Sequence, residues 1–365
     1  MRTGFVLHVD PERGFSGGET QVLGLVRELA AAGIDGAVAC DPSGELAGRV
    51  RAAGVGTVPL RIRRGHDPGA GLRLRAILRE RRPDVVHFHT ARALTLAPFV
   101  PRTVIRVVTR RMDQPPRGAA TYVRWLYRSV DAIIAISGAA RDGLVSRGVP
   151  AGRIALVHSG VEVSRFDGPP GRDERARREM DVPAARPVVA IVAQFHRRKG
   201  HDVLLRALAK LPPEEAPLCL AAGTGPEGDA LLDLARELGR SGDVRWLGRL
   251  DEVRDVLRAA DVVAMPSRAE GLGVAAIEAL AAARPVIASA VGGLPEIVHD
   301  GVEGLVVPPG DVDALAAALR RLLSDSDLRE RMGAAGRAAA AGFSTAAMAR
   351  GTVEVYERLL AEDRR

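Results

Sequence analysis

Aromatic side chains are scarce in this chain of 365 residues: two Trp, three Tyr and seven Phe, 3% in all. Single-stranded nucleic acid is held on aromatic platforms set between basic groups. The chain has no such interleaving, so its basic pI near 10.3 does not mark a nucleic-acid binder. Cysteine is rarer still. Cys40 and Cys219 fall in different halves, each at the end of a strand-like run, and read as small core residues rather than a disulfide or a metal pair. No run of eighteen apolar residues exists, so hydropathy offers no transmembrane helix. The opening MRTGFVLHVDPE is too short in apolar residues for a secretory signal and reads as a first strand. The expectation is a cytoplasmic protein. Lysine is almost missing: Lys199 and Lys210 are the only lysines among 52 basic residues.

What is present is apolar residue, 47% of the chain, enough for two cores in a chain of this length. Short apolar runs alternate with helical patterns throughout: Phe5–Val9, Ala37–Cys40, Val55–Leu60, Asp84–His89, Val104–Thr109, Ala132–Ile136 and Ile154–Val157, then Pro187–Ala193, Leu218–Ala222, Val244–Leu247, Asp261–Met265 and Gly304–Val307. Such β/α alternation predicts an α/β protein with two doubly wound parallel sheets. The polar GPPGRDERARREMD (168–181) reads as an interdomain linker plus a short helix. The expected division is 1–170, 171–343, and a closing amphipathic helix within 344–365. Charge is uneven. Residues 1–170 hold 25 arginines against 15 acids, while the remainder is slightly acidic. A basic helix near 72–82 adds to that surplus, which suits an anionic acceptor or an anionic membrane surface, or is a solvated face.

The chain is organised around Ser267–Glu296. A strand closed by Pro266 leads to Glu270, a turn through Gly271, Leu272 and Gly273, a helical run carrying Glu278, the stop Arg284-Pro285, and a glycine pair at Gly292-Gly293. A glycine-rich turn at a helix N-terminus, on the carboxyl edge of a parallel sheet, favours an anion. Eight residues of helix rise roughly 12 Å, about the length of a ribose-diphosphate-sugar array, so one glutamate can serve the sugar and the other the ribose. Upstream, Gln194–Gly200 (QFHRRKG) places Arg197, Arg198 and Lys199 between a strand and a helix. This is a phosphate site by side-chain charge and by oriented N–H groups. Lys199 stands where arginine is otherwise the rule, and a thin ammonium reaches where a guanidinium does not fit.

These motifs, with the RPVIAS and GGLPEIV that follow, resemble the retaining glycosyltransferases of family four, the glycosyl transferases group 1. The likeness runs over nearly the whole chain and is densest from Val188 to Pro309. It implies the GT-B fold: two Rossmann-like domains facing a central cleft, with a C-terminal helix returning to the first domain. It implies retaining transfer of a sugar from a nucleotide-diphosphate sugar, with no metal and no other cofactor, to a glycan, glycolipid or other cell-envelope acceptor, and peripheral contact with an anionic membrane as a further partner. Glu270, Lys199 and Arg198 take the catalytic positions. Gly17, Gly18, Arg197, Gly223, Gly225, Arg249, Gly271, Leu272, Gly273 and Glu278 take donor positions. Glu19, His89, Arg110, Arg111 and Asp113 are the acceptor-side candidates. Three departures stand out. Arg111 occupies the place of a family histidine and cannot be a base, since it keeps its proton. Gln194 replaces an arginine, so Arg197 or Arg198 must supply that charge. The stretch His158–Glu162 (HSGVE) only partly matches the family's N-G-V-D.

Other readings are open to the same residues. His87 and His89 lie on one face of a strand, but no further ligand cluster is obvious for a metal. Tyr122, Trp125, Leu126 and Tyr127 form either core or a membrane-facing stripe, with core the expectation. A pyridoxal-phosphate phosphorylase needs a Schiff-base lysine in an apolar setting, which neither lysine has. A nucleotide-sugar epimerase on the same fold has no motif in its favour. A non-catalytic carbohydrate- or nucleotide-binding module would not need the set Glu270, Glu278 and Lys199.

Overall fold

The computed structural model describes residues 4–63, 67–112, 114–116, 118–168 and 173–363. The chain divides into two compact units: Met1–Val161 with Ser344–Arg365, and Glu162–Phe343. The first unit ends ahead of the linker expected at 168–181.

The first unit holds seven parallel strands: β1 (Val6–Asp10), β2 (Gly36–Cys40), β3 (Gly56–Pro59), β4 (Val85–Phe88), β5 (Ile105–Arg110), β6 (Ala132–Ala135) and β7 (Ile154–Leu156). Their order in the sheet is β3-β2-β1-β4-β5-β6-β7. The strands read as unbroken apolar runs because helices cover both faces, which a parallel sheet requires. Leu7, Val9, Val86, Phe88 and Leu74 form one face's core; Val6, Leu25, Leu29, Val107 and Ile134 belong to the other. The helix Thr345–Asp363 completes that second core. It packs on the helix Gly17–Ala31, with Val355 and Tyr356 fully buried. Strand order reverses between β1 and β4. At such a switch point neighbouring crossovers leave in opposite directions and open a crevice at the carboxyl ends of the strands. His8 pairs in register with His87 across these two strands.

The second unit repeats the plan with six strands: β8 (Val188–Val192), β9 (Leu218–Ala222), β10 (Val244–Gly248), β11 (Val262–Met265), β12 (Val286–Ser289) and β13 (Gly304–Val307). The order is β10-β9-β8-β11-β12-β13, all parallel, and the switch point falls between β8 and β11. Its core joins Val189, Ile191 and Ala264 to Leu204, Leu208, Leu315 and Leu319 from the flanking helices.

Two expectations are corrected locally. Trp125 is 55% exposed, not core; Leu126 and Tyr127 on the same helix, Ala120–Arg128, are buried. Helical periodicity puts Leu126 and Tyr127 on the sheet side and Trp125 beyond the buried stripe. The helix after β11 begins only at Val274, with Gly273 as its N-cap. Glu270 therefore lies on the loop, and the helical rise counted from it is shorter than the eight residues assumed. The basic helix spans Pro68–Arg81, and its arginines 73, 75, 79 and 81 are exposed. Cys40 and Cys219 are buried free thiols.

Candidate active site

In the second unit the loops after β8 and β11 meet at the switch point. Gly200 makes this possible. Its φ is +71°, and a Cβ there would stand 1.9 Å from the Pro266 carbonyl oxygen, so only glycine lets the two loops touch. The contact is stitched by the Arg268 N–H donating to the Arg198 carbonyl at 2.7 Å. The Arg268 guanidinium also holds both oxygens of Asp202, each at 2.7 Å, a bidentate pair that fixes orientation as well as charge. Lys199 is thereby aimed at Glu270. Its Nζ lies 2.5 Å from Glu270 Oε2, and both side chains are nearly buried. The Ser267 hydroxyl donates to the same oxygen at 3.2 Å. Gly292 closes over the back of the loop, where a Cβ would fall 1.7 Å from the Glu270 carbonyl oxygen. The glycine pair read from sequence is thus needed to seat Glu270.

The helix Val274–Ala281 has Gly273 at its N-cap, so no N-cap side chain covers its N-terminus, and the buried Gly271, Leu272 and Gly273 lead into it from Glu270. Glu278 lies one turn along. Burial pushes its carboxyl up to about 7, against the pull of Arg165, which is itself paired with Glu252 at 2.5 Å. Arg197 and Arg198 are exposed on a short 3-10 turn. Gly223 and Gly225 press on the backbone of Ala193 and Phe195 after β8, so close packing accounts for both. Arg249 is exposed just after β10. Ser267 and Asp202 were not among the sequence candidates. The signal for Asp202 was its position in the first turn after the basic loop.

The first unit gathers a different set. His8, His87 and His89 are wholly buried, and one ring nitrogen from each lies within 4.8 Å of the others. His87 places one nitrogen 2.6 Å from the Tyr356 hydroxyl and the other 2.7 Å from the Thr109 hydroxyl. His8 Nδ1 and His89 Nε2 are 2.9 Å apart. Arg111 reaches His89 Nδ1 at 3.4 Å. An arginine can only donate, so His89 Nδ1 accepts, its Nε2–H donates to His8, and the proton of His8 rests on Nε2. Desolvation holds all three rings neutral, His8 down to about 3. Neutral imidazoles are also metal ligands in principle. Here both nitrogens of His87 and His89 already have protein partners.

Asp10 ends β1 on the same face, 1% exposed. Burial and the nearby Glu19 push its carboxyl up to about 7. Glu19 is buried in the first turn of the helix Gly17–Ala31, and its Oε2 accepts from the Ser16 N–H and hydroxyl, each at 2.7 Å. This is a capping box. Gly17 and Gly18 form that same first turn; a Cβ at Gly17 would meet nothing, and one at Gly18 only the Arg111 side chain at 4.0 Å. Arg111 faces Asp10 and Glu19, and burial lowers it to about 10. Arg110 is 8% exposed and donates to the Gln114 carbonyl. Of the two arginines expected to present a free anion site, Arg110 is thus engaged by a carbonyl, and Arg111 reaches His89 with the charges of two carboxylates acting on it. Asp113 lies outside the described residues. His8, Asp10 and Tyr356 were missed by the sequence reading. The available signal was parity: His8 and Asp10 alternate on β1 as His87 and His89 do on β4.

Two Rossmann-like units in one chain, each with its polar cluster at its own switch point, define the GT-B class. Solved structures of that kind superpose on the whole chain. The glycosyltransferase of Rickettsia africae does so with TM-score 0.87 at 20% identity, covering 99% of both chains. Anabaena HepE, solved with UDP and with UDP-glucose, does so with TM-score 0.86 at 20% identity, covering 97% of this chain and 99% of its own. At that identity the likeness speaks for the fold. Residues 172–339 match the glycosyl transferases group 1 and residues 15–165 match glycosyltransferase family 4, and the chain belongs to this family. A relative named D-inositol 3-phosphate glycosyltransferase, from Corynebacterium kroppenstedtii, is 37% identical over 261 residues, 67% of this chain and 57% of that one. The chain spans about half to two thirds of the length of the curated relatives it matches.

Proposed function

We propose that the chain is a glycosyltransferase that moves a sugar from a nucleoside-diphosphate sugar to a hydroxyl of a cell-envelope glycan or glycolipid, with retention at the anomeric carbon and without a metal. The observation that carries this reading is the Lys199–Glu270 pair at the switch point of the second unit, beside a helix N-terminus whose N-cap is Gly273. The bond from the anomeric carbon to the diphosphate oxygen breaks, the acceptor oxygen bonds to that carbon, and the acceptor proton leaves with the nucleoside diphosphate. Lys199, Arg198 and the backbone N–H groups of 271–273 stabilise the charge growing on the leaving group, the work a metal does elsewhere. Arg197, Gly223, Gly225 and Arg249 border the nucleotide. Glu270 holds sugar hydroxyls and Glu278 accepts from the ribose. No glycosidase-like carboxylate pair is required. The first unit receives the acceptor beside His89, Asp10 and Arg111.

Among the described residues no helix is long and apolar enough to cross a membrane. Peripheral contact with an anionic bilayer is supported by exposed Met112 and Trp125 and by the exposed arginines of the Pro68–Arg81 helix. A second reading, transfer to an inositol phosphate, is favoured by the relative named D-inositol 3-phosphate glycosyltransferase.

Thermal melts with UDP, GDP, ADP, CDP and dTDP, each with and without EDTA, test the donor site. A ligand at 100 times its Kd adds about 2.7 kcal/mol. One nucleotide is expected to stabilise the protein equally with EDTA present, and Lys199→Ala to lose that shift. No response to any nucleotide refutes the donor-site assignment; dependence on a divalent cation refutes the metal-free mechanism.

A further inference from the structure

The surface of the first unit is strongly basic, but the crevice at its switch point is not. Three of the groups there are imidazoles buried as neutral rings: His8, His87 and His89. Among the described residues Arg111 brings a cation there, reaching His89 at 3.4 Å beside the first turn of the helix Gly17–Ala31, and the charges of Asp10 and Glu19 act on it. Arg110, its neighbour in sequence, is turned to the Gln114 carbonyl. Arg92 is drawn to Glu12 at 3.4 Å and Arg13 to Asp41 at 2.9 Å. Arg73, Arg75, Arg79 and Arg81 of the Pro68–Arg81 helix are exposed to solvent instead.

The helix Gly17–Ala31 starts at this crevice, and a helix N-terminus is where an incoming anion would be received. That place is already filled from within. Glu19 puts its carboxylate on the Ser16 N–H and hydroxyl. An incoming phosphate would meet the buried Glu19 carboxylate and, beside it, Asp10, which carries its full charge only above about pH 7, in a desolvated setting where like charges repel strongly. Hydroxyl groups fit the same set without conflict. They donate to Asp10 and accept from Arg111, whose Nε is buried with no hydrogen-bond partner among the described residues.

We infer that the crevice between β1 and β4 takes an uncharged, hydroxyl-bearing acceptor, a sugar or polyol with no phosphate or carboxylate beside the reacting hydroxyl, and that Asp10 and Glu19 enforce that choice. This rests on the reading of the first unit as the acceptor side. It separates the chain from a relative named for an inositol phosphate, and makes Asp10 and Glu19 specificity determinants.

The test uses the full chain and ligand-observed saturation-transfer NMR, with the donor site filled by whichever nucleoside diphosphate stabilises the protein. The probes are two matched pairs: methyl glucoside with glucose 6-phosphate, and myo-inositol with inositol 3-phosphate. At least one uncharged probe is expected to bind, and its phosphorylated partner to bind about tenfold more weakly or worse. Glu19→Gln keeps the capping box, because glutamine accepts the same bonds, and removes the charge. Combined with Asp10→Asn it is expected to shrink the discrimination by about the same factor while nucleotide binding stays intact. A phosphorylated probe that binds as well as its uncharged partner overturns the inference, as does failure of both uncharged probes. If no nucleotide binds, the probes are titrated alone: the donor reading then falls, and the acceptor result still decides this one.

Discussion

Lys199 and Glu270 neutralise one another at 2.5 Å. A diphosphate that recruits Lys199 has to draw it from that carboxylate. Glu270→Gln is therefore expected to tighten nucleoside-diphosphate binding about fivefold, by removing a competitor worth about 1 kcal/mol, while abolishing transfer. Calorimetry on the variant decides it; weaker binding would mean that Glu270 holds Lys199 in the position that receives the diphosphate. Tyr356 offers a second single-residue test. Its hydroxyl is buried against His87, so Tyr356→Phe leaves a ring nitrogen unsatisfied and is expected to cost about 1–3 kcal/mol in denaturant unfolding. These two cases also mark what sequence can reveal. Lys199, Glu270 and Glu278 were legible because loop chemistry and spacing are local. His8 and His89 lie 81 positions apart, and His87 and Tyr356 lie 269 apart. No local pattern joins such partners; only the strand order does.

Elements were read more reliably than their contacts. β9 and β13 fall on their expected residues, and the other expected strands shift by a residue or so at their ends, because apolar runs flanked by turn residues leave little choice in a sheet covered on both faces. The hydroxyl of Ser137 accepts from the Ala140 N–H as an N-cap. The glycines were recognised but not their purpose. Gly200 closed a phosphate-binding motif and Gly292 belonged to a glycine pair with no stated role, and each is a place where one loop touches another. Gly200→Ala should therefore injure the fold as well as binding. It forces a Cβ against Pro266 in a left-handed conformation, with an expected loss of about 3 kcal/mol or more. Urea melts of the second unit's signal measure it, and near-normal stability would mean that the loops separate without cost.

At the scale of the molecule, buried histidines set the acid limit. His8 is held at about 3, His201 at about 4, and His87 and His89 well below the ordinary value. Unfolded, all four titrate near 6.5. Below that pH the unfolded chain takes up protons that the folded chain refuses, so stability falls as pH drops. Asp10 and Glu278 act in the opposite sense. With folded values raised to about 7, they favour the fold at low pH and lose that contribution as pH rises. Four groups against two decide the sign. The melting temperature is expected to fall steadily from about pH 6.5 towards about pH 4, and His87→Gln to flatten the slope. A flat profile in the parent protein would contradict the neutral triad.

The first unit is interrupted in the chain by the second. A ribosome that has delivered β1 to β7 has not yet made the helix that covers Val107 and Ile134 and caps His87 with Tyr356. The second unit is synthesised and free to close while the first still waits with one sheet face only partly covered, by the helix Gly17–Ala31. Emergence order and completion order are thus reversed. The nascent chain carries an exposed apolar surface for as long as translation takes to cross 182 residues, from Glu162 to Phe343, and that surface is where a trigger-factor-like chaperone would be needed most.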